Sequence, residues 1–543
     1  YTRTAPAVSI TQADGAMILS KSTAAEGGVY YTGKLTATSA VGVSKPTNDY
    51  GMSDFSSWGV PGSLELKPEI TAPGGNIYSV NGTHVEKGTT LGGKDAYENM
   101  SGTSMAAPQI AGMAALMAQY IRENEALSGY MSKTGVTNRQ LINSLLMSTA
   151  SPIIEADTGL PYSVLNQGAG LANVDSAMNA ESYIMMDSNL SGTAADGKVK
   201  AEFGDDPDCD GTYTAGFTIY NISGSAQRYN VYTDLFTQDI FADEDGQRYL
   251  DTCLTTLDAE FTYDFSDHTE IVSGFDCDVN HDGKTDALDA QAIIGYVAGE
   301  NDGSRYNLTA ADLNADGKVT SYDAHLLLVK LNSAAIEIPV GSSVHVSVTM
   351  KLTDAQKQTL NAMYENGAYV EGYIYVETDN TADGGLRPVH SIPVLGFYGN
   401  WSDAPMIDGG TAIEDLYGTG AHGSYIGYDY YTDYTGIVYP GSSDIGIYTV
   451  NPYVVEDEYP AGREAISGSA TIAQYGFTLI RNAAAVATYV KTADGNITVS
   501  GVNNQVSSMF YYSNNAEWTN YGYELGAAVS PVALGLNEGD KFT

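Results

Sequence analysis

Cysteine is scarce: Cys209, Cys253 and Cys277 are the only three in 543 residues. That excludes a disulfide-built scaffold and leaves one pair among them open in an oxidising compartment. Basic residues are scarce too, 25 Lys and Arg against 66 Asp and Glu, giving a net charge of −41. Such a balance excludes nucleic acid as a natural partner and favours cation binding. No apolar run approaches membrane-spanning length, so no membrane-spanning segment is expected. No initiating Met and no signal peptide are visible, so an N-terminal truncation is expected. What remains is 43% hydrophobic with 59 glycines, ordinary for β-rich globular modules. The length implies about three to five domains.

The most informative stretch is residues 101–108, SGTSMAAP. A small-residue turn presents Ser104, and Pro108 suits the first turn of a helix, where a missing N–H costs nothing. Residues 109–124, QIAGMAALMAQYIREN, carry no charge until the last turn and read as a helix buried on most sides. A serine at such a helix start sits where the macrodipole favours a developing oxyanion. This stretch resembles the serine motif of the subtilases, the subtilisin-like serine peptidases. Phe55-Ser56-Ser57-Trp58-Gly59, the run KPEITAPGGNIYS from Lys67, and NQGAGL at 166–171 resemble the segments flanking that serine. The wording is similar to the lactocepin-like cell-envelope proteinases, and the resemblance covers residues 1–178.

The resemblance implies an Asp, His, Ser chain order. Only His84 precedes Ser104. Its context, Asn81-Gly82-Thr83-His84-Val85, places the histidine after Gly-Thr, whereas the family's catalytic histidine precedes it, so a loop or hairpin residue is expected. Asp157-Thr158-Gly159 mimics the family's aspartate motif but follows the serine in a turn-rich stretch. Asn76 and Asn99 match neither the oxyanion asparagine nor a specificity residue. The expectation is a nucleophile without its base and orienting carboxylate. Ala5-Pro6-Ala7-Val8 resembles the tail of a protease-associated domain, so the chain is expected to begin inside that insert.

Beyond 178 the pattern becomes alternating: residues 214–220, 343–350 and 370–376 each read as half-buried strands. With PVLGFYG at 393–399, they resemble the fibronectin-III-like domain that follows the protease in lactocepin-like enzymes. Asp205-Asp206-Pro207-Asp208-Cys209-Asp210 reads as a solvated loop. The tyrosine-rich stretch 425–439 reads as a linker, and 475–482 opens further strand-like material.

Two runs interrupt the strands. Asp278-Val279-Asn280-His281-Asp282-Gly283 leads to Asp289, and Asp312-Leu313-Asn314-Ala315-Asp316-Gly317 leads to Asp323. Each offers oxygen ligands at positions one, three and five, glycine at six and a carboxylate at twelve, the donor set that hard Ca²⁺ requires. Lys284 and Lys318 would each contribute a backbone carbonyl at seven; Asp286 and Thr320 stand at nine. Helical stretches follow at 290–297 and 324–331. Two such repeats resemble a type I dockerin, which implies Ca²⁺ and a cohesin partner. Dockerins read that partner through loop positions ten and eleven, here Ala287-Leu288 and Ser321-Tyr322. The pairs differ, and calcium-dependent stiffening stands beside docking.

The chain is thus expected to be multidomain: residues 1–45 the protease-associated tail, and 46–183 a partial α/β subtilisin-like domain with a parallel sheet and helices. Residues 184–273 and 333–405 form a fibronectin-III-like β-sandwich. Residues 274–332 are a small α-helical dockerin/EF-hand-like insert, and 406–543 a linker with an incomplete second β-sandwich. The expected function is a secreted or cell-envelope serine endopeptidase acting on proteins or peptides through an acyl-enzyme on Ser104. Alone, this chain is expected to be inactive. The alternative is a calcium-dependent docking or structural module tethered to a cohesin-bearing scaffold.

Overall fold

A computed structural model describes residues 17–24, 31–32, 51–59, 63–81, 97–156, 158–242, 248–266, 268–271, 275–300, 302–314, 317–364, 367–378 and 388–403. Beyond these it describes 425–427, 437–438, 465–466, 474–477, 483–491, 497–506 and 523–525. Residues 1–50 form one compact unit and residues 51–543 a second. In the first, a helical turn at 17–20 precedes an antiparallel pair, β1 (Thr23–Ala24) and β2 (Tyr31–Thr32).

The second unit opens with an antiparallel pair, β3 (Ile77–Val80) and β4 (Tyr97–Met100), whose Tyr78 and Tyr97 rings stack at 5.6 Å. Helices α1 (Thr103–Glu123), α2 (Glu125–Thr134) and α3 (Asn138–Ser148) follow. Their ends are written in the chain. Asn124 caps α2 by accepting from the Leu127 N–H, Gly135 closes it at φ 80°, and Thr137 with Gln140 forms a capping box on α3. Short helices α4 (Val164–Gln167) and α5 (Val174–Asn179) complete this part. Met117, Ile121, Leu141, Leu145 and Leu146 form its core with Tyr183. The expected parallel sheet is represented among the described residues by one parallel bridge, Thr71 to Leu171. Pro68 and Pro73 flank that bridge without N–H donors, which prevents a continuous ladder there. A Cβ on Gly170, held at φ 101°, would collide with the Ser151 carbonyl, which explains the second glycine of NQGAGL.

Next come two facing sheets. One is fully antiparallel, in the order β10 (Ala259–Phe265), β12 (Ser343–Leu352), β7 (Thr212–Asn221), β5 (Ser182–Met186). The other runs β11 (Ala334–Ile338), β8 (Gln227–Ala242), β13 (Ala368–Thr378), β14 (His390–Tyr398), β6 (Ala201–Asp206), with β9 (Arg248–Thr256) also on β8. Its β14–β6 pair is parallel. Phe217, Ile219, Val346 and Val348 from the first sheet share one core with Val231, Ile374, Val376 and Ile392 from the second. Strands β7 and β12 alternate buried and accessible residues, as half-buried strands do. Strand β13 departs from that expectation: residues 370–376 are buried on both faces. The reason is that its outer face is covered by α4 and by tyrosines packed with Leu66, Val164 and Leu165. A helix, α9 (Asp354–Met363), joins β12 to β13.

The paired-loop module lies between β10 and β11, carrying α6 (Ala287–Val297), α7 (Leu308–Ala311) and α8 (Ser321–Lys330) on a core of Val279, Ile293, Ala311, Ala324 and Leu327. An antiparallel bridge between Ile271 and Ala335 joins the strands entering and leaving it. The acidic run is partly strand rather than all loop: Asp205 and Asp206 end β6. The Asp206 carboxylate gathers the Asp210 and Gly211 N–H groups into a turn, because a carboxylate can accept from several donors at once. No disulfide joins Cys209, Cys253 and Cys277, so the pair left open does not form. Tyr425–Gly427 is a short strand on Gln474–Phe477, not a linker throughout, because the ladder satisfies its backbone. A hairpin pairs Ala483–Lys491 with Ile497–Val506. No described helix is long and apolar enough to cross a membrane.

Candidate functional site

Ser104 is the second residue of α1 and is exposed. The turn before it is held by a crossing of two glycines. The Gly102 N–H donates to the Gly74 carbonyl at 2.8 Å, and a Cβ on Gly74 would sit 2.9 Å from the Gly102 oxygen. Gly102 adopts φ 151°, which L side chains rarely reach. The Asn76 N–H donates to Ser101 Oγ at 2.8 Å, and Gln109 Nε2 donates to the Pro73 carbonyl at 2.6 Å. Two distant pieces of sequence, 73–76 and 101–109, therefore fix the serine's backbone.

Two expectations about α1 need correction. Pro108 is the sixth residue of the helix, not part of its first turn, because the helix nucleates at Gly102. Its missing N–H leaves the Ser104 carbonyl without its usual helical donor. Nor is α1 buried on most sides: only Met117 and Ile121 are buried, while Ala107, Ala111, Gly112, Ala115 and Leu116 are exposed. The small apolar residues that suggested full burial have no covering element among the described residues.

Among the described residues no histidine or carboxylate is hydrogen-bonded to Ser104. His84 and Asp157 lie outside the described residues. Asn76 sits in the left-handed region at φ 53°, and Asn99 pairs with Tyr78 in the exposed hairpin. Three of the described histidines have partners elsewhere. His390, 1% exposed, lies between Ser148 Oγ and Ser182 Oγ, each 2.8 Å from a ring nitrogen. Burial holds its pKa down to about 4, so it is a neutral structural group. His325 faces Asp234 and His345 faces Asp187, both at 2.8 Å. Ser266 Oγ stands 3.3 Å from the other nitrogen of His345. That Ser, His, Asp line is open to solvent, where water competes for each bond. Sequence order gave no sign of it.

The two loops are wound as oxygen cradles. Asp278 accepts the Asp282 and Gly283 N–H groups, Asn280 Oδ1 accepts from Asp282, and Asp282 Oδ1 accepts from Lys284. Asp289, fully buried, accepts the N–H groups of Val279, Asn280 and Asp286 and completes a capping box at the start of α6. In the second loop Asp312 accepts from Gly317, and Asp323 accepts from Leu313 and Thr320 and caps α8 likewise. Gly283 and Gly317 take φ 83° and 85°, the turn required at position six. Asn314 and Lys318 lie in that loop, whereas Asp316 lies outside the described residues. No three His, Cys, Asp or Glu side chains converge in metal-holding geometry among the described residues. The donors nevertheless fit a hard cation, being all oxygen from carboxylate, amide and backbone. Burial pushes the Asp323 carboxyl upward against its N–H bonds, and a cation would supply the missing countercharge.

Comparison with known proteins bears on both places. The subtilase family model matches residues 14–204, and the dockerin type I domain model matches residues 277–332. The chain is similar to the PII-type proteinase of Lacticaseibacillus paracasei, 25% identical over 360 residues, covering 66% of this chain and 14% of that protein. The PI-type proteinase of Lactococcus lactis subsp. cremoris is 26% identical over 361 residues, with coverage of 66% and 14%. A C5a peptidase of Streptococcus pyogenes is 31% identical over 140 residues, covering 26% of this chain and 11% of that protein. The chain thus spans about 14% of the length of the first of these relatives. The motif around Ser104 and the two oxygen-lined loops fall inside the matched regions, and the chain therefore carries one segment that matches the subtilase family and another that matches the type I dockerin domain.

Proposed function

We propose that the protein is a serine endopeptidase of the cell envelope or extracellular space, with Ser104 as nucleophile. The carrying observation is the fixed presentation of Ser104 at the exposed start of α1, clasped by the 73–76 turn. The Ser104 oxygen attacks the scissile carbonyl of a protein or peptide, and the leaving amine departs to give an acyl-enzyme that water hydrolyses. The hydroxyl proton passes to a histidine oriented by an aspartate, both outside the described residues. The positive end of α1, where Ser104 stands, favours the oxyanion. The exposed small-residue face of α1 is the surface on which the rest of the catalytic domain packs. Residues 1–543 alone are inactive in this reading.

The remaining parts support that enzyme. Residues 1–45 belong to a protease-associated domain and 46–183 to the catalytic domain. The two facing sheets, 184–273 with 333–405, form a fibronectin-III-like β-sandwich that spaces or braces it. Residues 406–543 hold a linker and a further β-sandwich module. In the dockerin region Asp278, Asn280, Asp282, Lys284 through its carbonyl, and Asp289 hold one Ca²⁺. Asp312, Asn314, Asp316, Lys318 through its carbonyl, and Asp323 hold another. Bound calcium supplies countercharge and closes the loops. A cohesin domain is the partner this module implies.

A fluorophosphonate probe tests the enzyme, since it requires an activated serine. Residues 1–543 should stay unlabelled. A longer polypeptide supplying the family's aspartate and histidine should label, and Ser104→Ala should abolish it. No labelling of that longer protein ends the peptidase reading.

A further inference from the structure

The two loop-helix repeats are alike in sequence but not in surroundings. Helix α6 presents Leu288, Ile294 and Val297 to solvent at 53%, 46% and 44% exposure. Helix α8 leaves Leu328 44% exposed on one side and buries the other. Its Tyr322 is 3% exposed and shares a hydrogen bond with Tyr375 of β13. His325 Nε2 is 2.8 Å from both carboxylate oxygens of the buried Asp234 on β8. Lys330 Nζ lies 2.8 Å from Glu377 and 5.4 Å over the Tyr232 ring. On the other side, a Cβ on Gly159 would touch Ser321 Oγ and Tyr322 Cβ, both at 3.6 Å, so the turn of the subtilase segment abuts the same end.

We infer that the second repeat's partner is its own chain: α8 is an internal clasp seated on β8 and β13, and loop 312–323 is its calcium-operated catch. The first repeat's helix seats on neither sheet and keeps Leu288, Ile294 and Val297 in solvent. The linkage from loop to clasp is covalent and short. Asp323, position twelve of the loop, ties Leu313 and Thr320 to the first turn of α8, between Tyr322 and the His325 that meets Asp234. Letting the loop unwind frees the helix start that carries both contacts. Asp289 plays the same part for α6, whose outward face seats on nothing described.

The clasp rests on the calcium reading of the loops, and amide exchange on the full chain separates the two. Asp312→Ala in saturating calcium should speed exchange about tenfold or more in α8, the facing parts of β8 and β13, and residues 151–171. Asp278→Ala should confine its effect to residues 278–297. Tyr322→Ala should loosen the same facing strands while both loops keep their calcium-dependent protection. Calorimetry without calcium heat, together with exchange indifferent to chelator, removes the calcium reading. Calcium heat with Asp278→Ala and Asp312→Ala acting alike, or facing strands indifferent to Tyr322→Ala, overturns the clasp.

Discussion

Glu371 sits in the middle of β13, fully buried, where its Oε2 accepts from Ser163 Oγ at 2.6 Å and from the Val164 N–H at 2.7 Å. Its Oε1 has no partner. Burial lifts its carboxyl from an ordinary 4.5 to about 7, against the lowering pull of those two hydrogen bonds. Between these values the unfolded chain has lost the proton while the folded chain keeps it, so stability falls as pH rises from 4.5 to 7 and then levels. At ~1.4 kcal/mol per unit the loss is about 3 kcal/mol. In Glu371→Gln the amide oxygen can keep both hydrogen bonds and nothing titrates. The stability difference, variant minus parent, should therefore shift by about 3 kcal/mol in the variant's favour between pH 4.5 and pH 7. Urea unfolding of both proteins across that range measures it, and His390, common to both, cancels. Parallel stability profiles would refute the placement of a protonated carboxyl at this joint.

Other outcomes follow from the same geometry. Ser148→Ala leaves a buried ring nitrogen of His390 unpaired and should cost about 1–3 kcal/mol in urea unfolding. Calorimetry should find about two calcium sites, one lost in Asp278→Ala and one in Asp312→Ala. In a pull-down against type I cohesins, Leu288→Asp should abolish capture, whereas Ser321→Asp should leave it intact, because Ala287 and Leu288 are both exposed while Tyr322 of the second pair is buried beside Ser321.

Local chemistry was legible in the sequence wherever the backbone dictates it. The turn at Ser104, the glycines at loop position six, and the alternation of residues 214–220 and 343–350 all follow from short-range rules and reappear as α1, the two cradles, β7 and β12. What escaped depends on distant covering. Strand β8 runs 16 residues with a buried Asp234 and Asn230, which break the pattern of a core strand until His325 and its surroundings are seen. Glu371 reads as an outward residue until residues 163–164 close over it. Helix α1 shows the converse: its composition signals full burial, yet most of its face lacks a covering element among the described residues. Tyr322 occupies a position that the resemblance to dockerins marks for partner recognition, and it is packed inside.

The central claim is that Ser104 is the nucleophile. Mass spectrometry of the longer, fluorophosphonate-treated protein tests it directly, because the tryptic peptide spanning residues 95–122 contains Ser104 and ends at Arg122. The adduct should fall on Ser104 in that peptide and vanish in Ser104→Ala. An adduct on any other serine, Ser266 included, or none at all, would contradict the account.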